Sequence, residues 1–71
     1  MKYLVVVEKG SASYGAYAPD LPGCVAVGDT KDEVLTLIRE AIEFHLEGMA
    51  QGGEAIPPPL STSELVEVAA A

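Results

Sequence analysis

Apolar residues fall into short runs at the start of the chain and into a three-and-four spacing in its middle, and the two patterns predict different elements. Residues 2–9 read KYLVVVEK. A stretch this short, rich in β-branched and aromatic types, predicts a first strand and not a helix. Tyr3, Val5 and Val7 lie on one side of that strand and Leu4 and Val6 on the other. Both sides are apolar, so both are expected to be covered. Residues 10–13, Gly-Ser-Ala-Ser, predict a turn, and residues 14–18 a second strand that pairs back as a hairpin. Residues 19–23 end it, with Pro22 and Gly23 suited to the two central positions of a type II turn. Residues 24–27 predict a third strand.

The helical signal begins at Thr30. Thr30-x-x-Glu33 is the pattern in which each side chain can satisfy a backbone amide near the other, so Thr30 is the expected N-cap. Asp32 and Glu33 in the first turn complement the helix dipole. Val34, Ile38, Ala41, Ile42 and Leu46 form one stripe at helical spacing and are the expected core face. Leu35, Leu37 and Phe44 widen the apolar surface beyond what one small sheet needs, and the glycines between residues 48 and 53 predict the helix end.

Beyond the glycines, Ile56-Pro57-Pro58-Pro59-Leu60 must be extended, because each proline lacks an amide donor and fixes φ. Residues 63–68 alternate partly, with Leu65, Val66 and Val68 against Glu64 and Glu67, and predict a fourth strand. The terminal alanines are expected to fray. The resulting order, βββαβ, is an α+β fold: a mainly antiparallel sheet with one helix on one face and no local cover for the other. A second copy of the chain, placed sheet to sheet or along exposed edges, is the simplest cover, so a dimer or tetramer is expected.

With 71 residues the chain holds a single domain, residues 1–71, whose core is thin. Eleven acidic residues against four basic ones give a net charge of −7, which disfavours direct nucleic-acid binding and favours basic partners. A lone cysteine, Cys24, excludes an internal disulfide and suits a reducing cytoplasm. The longest early apolar run is too short for a signal peptide or a membrane span.

Four segments, Tyr17-Ala18-Pro19-Asp20-Leu21-Pro22-Gly23-Cys24, Gly28-Asp29-Thr30, Glu40-Ala41-Ile42 and Ile56-Pro57-Pro58-Pro59, together resemble the HicB antitoxin family over nearly the whole chain. The resemblance implies a partly degraded ribonuclease-H-like fold that binds and silences HicA, a small basic toxin that cleaves messenger RNA. Many members also carry a C-terminal DNA-binding segment. Residues 61–71 are too few for one and contain no basic residue, so autorepression by this chain is not expected. The alternative is a solitary oligomeric regulatory or scaffold module without a toxin partner.

The candidate chemistry is sparse, and no enzyme, cofactor or metal site is expected. Glu8, Asp20 and Asp29 could be set together as Mg²⁺ ligands only by analogy with ribonuclease H, and strand ends and turns carry such residues anyway. Cys24 reads as a small buried hydrophobe and His45 as a histidine at the core edge. Glu40, Glu43 and Glu47, by contrast, stand three and four apart, where like charges repel and approach the negative end of the helix. A solvated face would explain them, as would a docking strip for a basic protein. Asp20 and Leu21 in the signature loop join Glu40, Glu43 and Glu47 as the expected partner-binding residues.

Overall fold

The computed structural model describes residues 1–70. Three strands, β1 (Val6–Lys9), β2 (Tyr14–Tyr17) and β3 (Val25–Gly28), precede one helix, α1 (Lys31–Gln51). The sheet is antiparallel in the order β1-β2-β3, with Ala16 of β2 opposite Val7 on one side and Ala26 on the other. The class and the helix-on-one-face architecture are those the residue pattern predicts. The first strand is shorter than its apolar run, because β2 ends at Tyr17 and leaves Tyr3, Leu4 and Val5 without ladder partners.

The fourth strand is not formed. Residues 61–70 have no regular structure, and Leu65 is 104% exposed. A strand exists only where a neighbour accepts its amides, which partial alternation in the sequence cannot supply. The fraying expected of the last alanines includes Ala71, which lies outside the described residues.

Local chemistry fixes both ends of the helix. Thr30, with extended backbone (φ −129°, ψ 163°), accepts the Glu33 amide on Oγ1 at 3.1 Å. Glu33 reaches back one residue further than the ideal box and accepts the Asp29 amide on Oε1, also at 3.1 Å. Such a cap is worth about 1 kcal/mol. At the other end the Glu54 amide donates to the Met49 carbonyl and the Gly53 amide to the Ala50 carbonyl, a paired closure in which Gly53 takes the left-handed φ of 72°.

The core is small and wholly apolar: Ala16, Ala18, Leu21, Cys24, Val34 and Ile38 are buried, with Tyr3, Val5, Val7, Ala41, Ile42 and Leu46 packed around them. Short side chains on β2 and β3 let the helix approach closely. At Gly28 a Cβ would stand 2.9 Å from the backbone nitrogen of Val34. The helix packs chiefly on β3 and β2 and only lightly on β1.

Candidate protein-binding surface

The connection between β2 and β3 is built from two successive turns. Leu21 donates its amide to the Ala18 carbonyl at 3.0 Å, with Pro19 and Asp20 between them. Cys24 then donates to the Leu21 carbonyl at 3.0 Å across Pro22 and Gly23, and Gly23 has φ 83°, the geometry of the expected type II turn. A bond from the Ala18 amide to the Cys24 carbonyl closes the loop. Leu21, 1% exposed, anchors it from beneath, so this residue holds the loop's shape from the core.

Asp20 points outward from that rigid loop and is fully engaged within the chain. Its Oδ2 accepts the amides of Leu60 (3.0 Å) and Ser61 (2.9 Å), and its Oδ1 accepts the Ser61 hydroxyl at 2.8 Å. The Ser61 amide and hydroxyl hold the Asp20 carboxyl below its ordinary value of 3.8, desolvation opposes them, and the Leu60 amide adds a lesser lowering. A depressed carboxylate gives a contact that is present at neutral pH and is lost only as pH falls through the depressed value. The amide resonance of Ser61, followed by NMR during acid titration, should therefore move with a midpoint below 3.8. A midpoint at or above it would show that Asp20 does not clamp the tail.

Glu40, Glu43 and Glu47 are all exposed on α1, on the face turned away from the sheet. Arg39 Nε lies 4.0 Å from Glu43 Oε1, with both side chains well exposed, and Gln51 donates to Glu47 at 3.3 Å. An exposed pair of that length offsets little of the repulsion along the stripe. The structure does not bring Asp20 into this stripe.

Beside it the structure reveals a feature that the sequence marks only as surplus apolar surface. Phe44 is 78% exposed and, with Gly23, Cys24, Ala41, His45 and Met49, lines a groove of about 420 Å³ between the signature loop and the helix. On the sheet face opposite the helix, Tyr17 (40% exposed), Val25 (64%) and Val27 (67%) form a second uncovered apolar area. Phe44 carries a readable signal, an aromatic residue off the core stripe next to three glutamates. The clamp formed by Asp20 and Ser61 carries none, because its partners are 41 residues apart.

The burial of Cys24 pushes its thiol up, away from the reactive thiolate. Among the described residues no three His, Cys, Asp or Glu side chains are grouped to hold a metal ion, and no helix is long and apolar enough to cross a membrane.

The loop, the acidic stripe and the exposed apolar side chains lie on the outside of the fold, and comparisons with known proteins give its family. The family model described as the HicB-like antitoxin of bacterial toxin-antitoxin systems matches residues 3–70. An uncharacterized 14.9 kDa protein from the rep-hol intergenic region of Haemophilus phage HP1 is 42% identical over 57 residues, 80% of this chain but 43% of that protein. The chain thus spans less than half the length of this relative. A UPF0150 protein of Thermoplasma acidophilum is 41% identical over 58 residues, covering 80% of this chain and 84% of its own. A UPF0150 protein of Helicobacter pylori is 46% identical over 41 residues, 58% of this chain and 57% of its own. No solved structure matches the chain. Family membership points to a role without catalysis, and on the extent of the family match the chain belongs to the HicB-like antitoxin family.

Proposed function

We propose that this chain is an antitoxin module that binds and neutralises a small basic messenger-RNA-cleaving toxin of the HicA type in the cytoplasm. The observation that carries the reading is the pairing of the Glu40, Glu43 and Glu47 stripe with the exposed Phe44 and its groove. Charge on the rim steers a basic partner, and an aromatic anchor beside a pocket fixes it. The signature loop forms the opposite wall, its shape maintained by Leu21 and by the engagement of Asp20 with the tail. The open face formed by Tyr17, Val25 and Val27 further favours a self-associating module.

Replacing Glu40, Glu43 and Glu47 together by glutamine is expected to lower the association rate with a purified basic toxin about tenfold at low salt and to flatten its salt dependence. Stability should change by less than about 1 kcal/mol, in the stabilising direction, because like-charge pairs and the clash with the helix dipole are relieved. Surface plasmon resonance at several salt concentrations checks this. Unchanged association rates and salt slopes would make the stripe a solvated face.

A further inference from the structure

The groove between the signature loop and the helix runs up to an end of the helix that the sequence leaves electrically unbalanced. The last turn of α1 holds no basic residue, so the negative end of the helix dipole has no cation of its own beside it. Gly48 and Met49, near that end, line the groove. So does Glu54, the first residue after the two closing glycines. Its amide is bonded to the Met49 carbonyl at 2.9 Å, and its carboxylate lies back over the helix end, with Oε2 3.8 Å from where a Cβ on Gly52 would stand. A carboxylate and a helix C-terminus thus meet at one end of the groove and reinforce each other's negative potential.

Nothing else in the lining cancels that potential. None of the chain's four cations lines the groove, and Arg39 on the helix stands beside Glu43. The Cys24 thiol is pushed up by burial and stays uncharged. With His45 counted neutral at pH 7, as in the net charge of −7, the lining carries one negative charge and no positive one.

The remaining wall selects among cations. Phe44 is 78% exposed, which leaves its ring open to a partner. A planar guanidinium can stack on an aromatic face while its donors reach a carboxylate, whereas a lysine ammonium is a point charge with no plane to stack. An apolar side chain filling the groove would cover the Glu54 carboxylate without pairing it, which costs more than the apolar contact returns.

We propose that this groove is a receptor for one arginine side chain of a basic partner protein, with the guanidinium stacked on Phe44 and donating to Glu54 at the helix end. The inference rests on the toxin-binding reading above and gives it an anchor residue on the partner's side. It also divides the labour on this surface: Glu40, Glu43 and Glu47 act on encounter, and Phe44 with Glu54 on residence.

The test uses the whole chain, labelled with ¹⁵N, titrated with arginine capped as its N-acetyl amide and with the equally capped citrulline, which keeps the shape and loses the charge. Saturable shifts of the Phe44, His45, Met49 and Glu54 amides are expected with arginine and not with citrulline. Phe44→Leu and Glu54→Gln should each weaken the arginine titration about fivefold, and both side chains are exposed, so circular dichroism should be unchanged. Equal shifts with citrulline, shifts confined to Glu40, Glu43 and Glu47, or no saturable shift with either compound would overturn the assignment. Surface plasmon resonance with a purified basic toxin separates it from the reading it rests on. The double variant, Phe44→Leu with Glu54→Gln, should raise the toxin's dissociation rate at least about tenfold. A toxin that leaves wild type and double variant at the same rate would overturn the arginine receptor while the antitoxin reading stands. A toxin that binds neither, while capped arginine still occupies the groove, would overturn the antitoxin reading alone.

Discussion

Ile38→Ala is expected to leave little folded protein at 37 °C. Ile38 is 1% exposed and belongs to a core whose other buried members are mostly small: Ala16, Ala18, Cys24 and Val34 beside Leu21. Truncating a buried isoleucine to alanine costs about 2–5 kcal/mol, including the cavity left behind. A domain of this size rarely holds more than about 3–5 kcal/mol in total. The loss therefore approaches the whole. Urea denaturation followed by circular dichroism checks it, run over a range of protein concentrations because association adds stability by mass action. Ile38→Val, which removes a single methylene, should cost about 0.5–1.5 kcal/mol and keep the fold. An Ile38→Ala midpoint close to that of the wild type would mean that the helix is held by something other than its buried stripe.

The second large effect is expected at Gly28, where a methyl group should destabilise although glycine is normally a poor strand residue. The added carbon would stand 2.9 Å from Val34 N, 3.1 Å from Val34 Cα and 3.2 Å from Glu33 Oε1. The first two neighbours are backbone in the first turn of α1, and Val34 N is already bonded to the Thr30 carbonyl at 3.0 Å. The helix start must move as a unit, and displacement of packed backbone costs about 1–3 kcal/mol. Gly48 supplies the contrast. It lies within α1 with nothing within 4 Å of its virtual Cβ, so Gly48→Ala should gain up to about 1 kcal/mol from helix propensity. Thermal melts of both variants should move in opposite directions. A neutral Gly28→Ala would show that the helix start is free to shift.

These elements also mark where sequence reading succeeds. The Thr30 cap, the Pro22-Gly23 turn and the hairpin loop are each decided by residues within a few positions of one another, and all three form where their residue types demand. The core stripe of Val34 and Ile38 is equally local, because one helical period defines it. The fourth strand failed for the opposite reason. The alternation of residues 63–68 states what a strand would present, while an edge to receive it depends on where Asp20 sends the chain. Within the candidate surface, the glutamate stripe was legible from spacing. The groove under Phe44 was not, since it needs the signature loop beside the helix, and Leu21 reads as a surface residue until the loop's turns are seen to bury it.

The small residues facing the helix have an evolutionary consequence. Ala16, Ala18, Ala26 and Gly28 set the distance between sheet and helix, so most enlargements there must lift the helix and are removed by selection for folding. The outer face of α1 and the open face of the sheet carry no such constraint, and a change of charge or shape there costs the fold a few tenths of a kcal/mol at most. Descendants of such a chain can therefore exchange one partner for another by drifting along the exterior, while the interior stays fixed. Divergence among relatives should concentrate at positions equivalent to Glu43, Phe44 and Glu47, and variation at the position of Gly28 should be rare.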